Sequence, residues 1–113
     1  MADTQDTIAE ASDAGEPLAL ASARRVLDME IDGLKELSES LDESFTRAID
    51  MIAGVNGRVV VTGMGKSGII ARKIAATLAS TGTPAHYVHP GEASHGDLGM
   101  ITAADAVIAM SNS

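Results

Sequence analysis

Between residues 27 and 52 the apolar side chains Leu27, Ile31, Leu34, Leu41, Phe45, Ala48 and Ile52 recur at steps of three and four, with one place skipped at Ser38. That period belongs to a helix with one apolar stripe, close to a heptad seam. Charged residues such as Arg25, Glu30, Lys35 and Glu39 fill much of the remainder. The pattern predicts one long helix over 18–53, weakened slightly at Gly33 and ended by "GVNG" (54–57). Its stripe has two uses, packing on its own domain or sharing with a partner subunit. The pattern then changes. "RVVVT" (58–62) is a continuous β-branched run, as a strand buried on both faces requires. "SGIIARKIAATLAS" (67–80) returns to helical spacing, with Ile70, Ile74, Ala75 and Leu78 on one face. Gly82 supplies a left-handed stop and Pro84 prevents resumption. "AHYVH" (85–89) reads as a second strand, "PGEASHGDLGM" (90–100) as a polar loop with room for a helical turn, and "DAVIAM" (105–110) as a third strand.

The order is helix, then strand-helix-strand-loop-strand. It predicts an α/β fold with a parallel sheet. In such sheets ligands sit at the carboxyl ends of the strands. Three polar segments fall at those ends: "GMGKSG", "HPGEASHGD" and "SNS". They are expected to converge on one crevice. Residues 1–17 are acidic, lack an apolar face and read as a flexible tail. The domain is expected to begin at residue 18.

Charge changes this picture by splitting the chain. The net charge is −8, but residues 1–57 hold four basic and thirteen acidic side chains, whereas residues 58–113 hold four and three. The near-neutral half tolerates an anionic small molecule better. An acidic chain with two aromatic residues, Phe45 and Tyr87, and no basic stripe is a poor nucleic-acid binder. No cysteine is present for a disulfide framework or a thiolate metal site. No apolar run approaches the ~20 residues of a membrane span. The start "MADTQDTIAE" lacks the basic and apolar regions of a signal peptide, so a cytoplasmic location is expected.

The stretch "VVVTGMGKSGII" (59–70) fits three kinds of machine. A P-loop needs a glycine separated by four residues from Gly65-Lys66-Ser67, which falls at Val60, inside the strand. The dinucleotide pattern is satisfied by Gly63, Gly65 and Gly68, but the second strand ends in His89-Pro90 rather than in an acidic residue. The third is a site for a smaller anion. Glycines allow the tight turn, the helix start offers amides and a positive dipole, and Lys66 and Ser67 add a charge and a hydroxyl. A sugar phosphate suits that set.

The motifs "GMGKSG", "ASTGTP", "HPGEASHGDLGM" and "SNS", in this order, strongly resemble the sugar isomerase (SIS) domain of bacterial arabinose-5-phosphate isomerases, the KpsF/GutQ family. The likeness runs from about residue 20 to Ser113. It implies a three-layer SIS-type parallel sheet flanked by helices, truncated after the third strand and preceded by a long N-terminal helix. It implies interconversion of D-ribulose 5-phosphate and D-arabinose 5-phosphate, which feeds synthesis of the lipopolysaccharide sugar Kdo. Members are tetramers with two CBS domains after the SIS domain. The proposed catalytic glutamates and a further histidine lie beyond the position of "SNS". The chain is therefore expected to be an incomplete fragment, inactive and marginally stable alone. A non-catalytic sugar-phosphate-binding module and an SIS isomerase for another sugar are the competing readings.

The resemblance assigns roles to individual residues. Lys66 matches a catalytically relevant lysine, suited to stabilising an enediolate or holding phosphate. Gly65, Ser67, Gly82, Thr83 and His95 match substrate-binding positions, and Ser111 and Ser113 would contact phosphate. His89 matches a metal-binding position. One ligand does not make a zinc site, so zinc is expected to be incidental and no cofactor is required.

Overall fold

The structure is a computed structural model that describes residues 15–112. Most of the acidic tail and Ser113 lie outside those residues. The described residues fall into two units, one ending at Asp42 and the other starting at Glu43.

The first unit is one helix, α1 (Leu18–Ser40). Pro17 precedes its first turn and accepts the Ala21 N–H, and Arg24 pairs with Glu16. Gly33 does not interrupt it. The expected single helix over 18–53 is nevertheless broken. Leu41 is extended, with φ −68° and ψ 131°. Ser40 turns its hydroxyl back onto the Leu37 carbonyl at 2.7 Å, which competes with further helical bonding. Asp42 then stands just before α2 (Glu43–Ala53), at a position that favours aspartate. The skipped apolar place at Ser38 is the trace of this break. Leu27, Ile31 and Leu34 are exposed on α1.

In the second unit α2 is followed by β1 (Val59–Gly63), α3 (Gly65–Ser80), β2 (Ala85–Tyr87), the short helix α4 (Pro90–Ser94), a 3-10 turn (Asp97–Met100) and β3 (Ala106–Met110). The sheet order is β2-β1-β3 and both pairings are parallel. Val60 lies beside His86 on one flank and Val107 on the other. The central strand carries the run of three valines, and Val59, Val60 and Val61 are fully buried. β3 is equally apolar in sequence but shows only one packed face, with Val107 and Ala109 exposed.

The second strand stops earlier than its sequence suggests. Val88 is buried and still donates to the Val61 carbonyl, but His89 becomes the N-cap of α4. Pro90 has no N–H with which to extend the ladder. The stop after α3 matches expectation, with Gly82 at φ 100°.

The core lies between β1 and α3. Val59 and Val61 meet Ala71 and Ala75, and Ile52, Val55, Ile74 and Leu78 pack around them. Ile70, expected on this face, is exposed. Small residues face the sheet instead: Gly68, Ala71 and Ala75 are the buried positions of α3. A Cβ on Gly68 would stand 2.7 Å from the Gly63 carbonyl oxygen, so glycine there allows the helix to close on the strand. At the opposite end, the Asp105 carboxylate accepts the backbone N–H groups of Arg58 at 2.7 Å and Thr102 at 2.8 Å. It ties the start of β1 to the loop before β3.

Both contacts can be tested by unfolding. Gly68→Ala forces the helix away from β1 and is expected to lower stability by about 1–3 kcal/mol in urea unfolding; an unchanged midpoint refutes the tight contact. The Arg58 N–H, then the Thr102 N–H, hold the Asp105 carboxyl below its usual range, against a smaller opposing effect of desolvation. A lowered folded pKa means stabilisation that is present above the unfolded value of about 3.9 and is lost as pH falls through the folded one. Urea midpoints are therefore expected to drop on acidification below about pH 4. Asp105→Asn should show a shallower drop over that window than the parent.

Candidate functional site

The order β2-β1-β3 places a switch point between β1 and β3. The connection after β1 leads to one neighbour, and the other neighbour arrives later in the chain. Loops leaving the carboxyl ends of two such strands diverge and leave a crevice. A cleft of about 660 Å³ opens there. Thr62, Gly63 and Met64 line it from the end of β1, Ser111 and Asn112 from the end of β3. Lys66 and Ser67 reach it from the first turn of α3, and Pro90 from the start of α4.

The glycine turn is built for this place. Gly63 ends β1 in a position where a Cβ would press at 3.1 Å on both the Met110 carbonyl oxygen and the Ser67 backbone. Gly65 has φ 60°, the left-handed conformation that turns the chain from strand into helix. Met64 is the N-cap of α3 and makes no side-chain cap. The first-turn amides are therefore left for another acceptor. Among the described residues lining the cleft, Lys66 is the one charged side chain, and it is exposed. An exposed cation beside free amides and a helix dipole favours an anion.

Lys66, Ser67 and Ser111 line one cleft, and Gly65 stands in the turn between the lining residues Met64 and Lys66. Ser113 lies outside the described residues. His89 stands next to the cleft-lining Pro90, as the N-cap of α4, where its Nδ1 accepts the Gly91 N–H at 2.9 Å. His95 is exposed at the other end of α4 and does not line the cleft. Gly82 and Thr83 are not brought there. They precede β2, at the amino end of the sheet, and line a separate groove with Ile49, Ile52 and Val55. A residue before a parallel strand and one after it lie a strand length apart, so these two cannot reach a ligand held by Lys66 of the same chain.

Zinc at His89 does not fit the described residues. One ring nitrogen is used by the Gly91 amide, and no group of three or more His, Cys, Asp or Glu side chains is placed to hold a metal ion among the described residues.

Sequence reasoning missed three participants. Thr62 lines the cleft, and its buried hydroxyl has no partner; strand parity sets it on the face opposite Val61, a signal hidden by the apolar run. Met64 lies between two glycines and is 62% exposed. Tyr87 lies outside the cleft lining, yet its hydroxyl donates to the Gly63 carbonyl and its ring lies under the Arg72 guanidinium, 4.2 Å from ring centroid to cation. Nothing in the sequence marks that contact.

Residues 51–113 match the SIS domain family. The chain is similar to "Arabinose 5-phosphate isomerase KdsD" of Yersinia pestis, at 60% identity over 92 residues, covering 81% of this chain and 28% of the relative. The protein of the same name in Pseudomonas aeruginosa is 54% identical, with the same coverage. The structure of Escherichia coli CFT073 c3406 in complex with arabinose 5-phosphate superposes with a TM-score of 0.75 at 45% identity, over 84% of this chain and 50% of that one. The chain spans a little over a quarter of the length of these curated relatives. With its glycine turn, parallel sheet and matched motifs, the chain belongs to the SIS domain family.

Proposed function

We propose that the chain is the N-terminal portion of an aldose–ketose isomerase that interconverts D-ribulose 5-phosphate and D-arabinose 5-phosphate. The observation that carries this reading is the cleft at the β1/β3 switch point, where Lys66 is the one charged lining residue. The names of the relatives at 54–60% identity and the arabinose 5-phosphate complex of the structural neighbour supply the sugar.

The chemistry moves a proton between adjacent carbons through an enediolate. Negative charge grows on the carbonyl oxygen, and a fixed cation nearby stabilises it more than the ground state. The Lys66 ammonium has that role here. The phosphate is held by the first-turn amides, the Ser67 and Ser111 hydroxyls and the Asn112 amide. The proton itself needs a base. No carboxylate or histidine lines the cleft among the described residues. In this reading the base lies in sequence outside this chain, so the chain alone binds without turning over. That same lack favours the second reading, a non-catalytic sugar-phosphate-binding module. The fuller enzyme is read as a cytoplasmic homotetramer serving Kdo synthesis, and its isomerisation as independent of metal.

In a full-length protein carrying this chain, Lys66→Ala is expected to lower kcat/KM for ribulose 5-phosphate by about 100-fold or more. Equal turnover by folded parent and variant removes Lys66 from the chemistry; sugar-phosphate binding without turnover by the parent moves the assignment to the binding module. Dialysis against a chelator is expected to leave the parent's rate unchanged, and a loss restored by zinc would show the metal to be required.

A further inference from the structure

We infer that Tyr87 is a positioning residue for the anion site, acting through the last carbonyl of β1. This rests on the sugar-phosphate reading of the cleft. The ladder between β1 and β2 creates the need for it. Val61 pairs with Tyr87, and the Val61 carbonyl accepts from the next residue along, Val88, at 2.9 Å. The ladder ends there: β2 stops at Tyr87 and His89 already caps α4, so the ladder makes no bond to the Gly63 carbonyl. The Gly63 carbonyl thus loses its ladder donor at the point where the chain leaves the sheet to form the turn.

The Tyr87 hydroxyl takes the place of that donor. The space around the bond is tight. Gly68 packs so closely that a Cβ there would meet the Gly63 oxygen at 2.7 Å and the Tyr87 hydroxyl at 3.1 Å. Arg72, one turn further along α3, holds its guanidinium over the tyrosine ring. Gly63 is a residue whose backbone rotates freely, and the peptide that follows it starts the turn carrying Gly65 and Lys66. A bond to its carbonyl therefore fixes the orientation from which the first-turn amides of α3 are presented. Without it, a half-buried carbonyl is left unpaired and the turn gains alternatives. Anion affinity falls by the fraction of time spent in them.

The test is Tyr87→Phe in the full-length protein. Affinities for inorganic phosphate and arabinose 5-phosphate are measured by calorimetry, and KM and kcat for ribulose 5-phosphate by turnover, below every variant's melting range. Tyr87→Phe is expected to weaken both affinities and raise KM about five-fold, with kcat nearly unchanged. A purely structural tyrosine would lower the melting temperature and leave affinity and KM as they were. That result overturns the assignment. If the parent binds neither phosphate nor the sugar phosphate, the reading of the cleft fails and this inference with it; parent binding with an indifferent Tyr87→Phe refutes this inference alone.

Discussion

The site depends on how closely the first turn of α3 approaches the end of β1. The two segments meet backbone to backbone at Gly63 and Gly68, with no side chain between them. That approach sets the helix start directly over the strand end. It places Lys66 and Ser67 beside Thr62 and Gly63 at the crevice. A single methyl group at either glycine would push the helix outward and open the angle. The small buried faces of Ala71 and Ala75 continue the same close packing down the helix, so the core and the site share one constraint.

This constraint explains which parts of the molecule were legible in the sequence. The glycines, the continuous valines of β1 and the Gly82-Pro84 stop act locally, within a few residues, and each left its signature in order. The parallel sheet followed from them. Less legible was anything decided by a neighbour distant in sequence. Ile70 looks like a core residue by its hydrophobicity, but the helix rolls to put Ala71 on the sheet because only a small side chain permits the approach. The α1–α2 break was written in Ser38, Ser40 and Asp42, yet an apolar stripe that resumes in phase after the gap hides it.

The candidate residues divide along the same line. Gly65, Lys66, Ser67 and Ser111 follow strands at their carboxyl ends, where topology alone collects them. Gly82 and Thr83 precede a strand, and the same topology sends them to the opposite end of the sheet. His89 and His95 share a loop in sequence, but α4 separates them: one caps its start and uses a ring nitrogen to do so, the other is exposed at its end. Spacing along a loop says little about which way its members face once a helical turn forms inside it.

The cleft is chemically one-sided, and the topology accounts for that. Residues at the ends of β1 and β3 supply a cation, hydroxyls and amides, all of which bind or stabilise negative charge. A carboxylate placed among these groups would pair with Lys66 and repel a bound anion. Among the described residues the cleft has no acidic side chain within its lining.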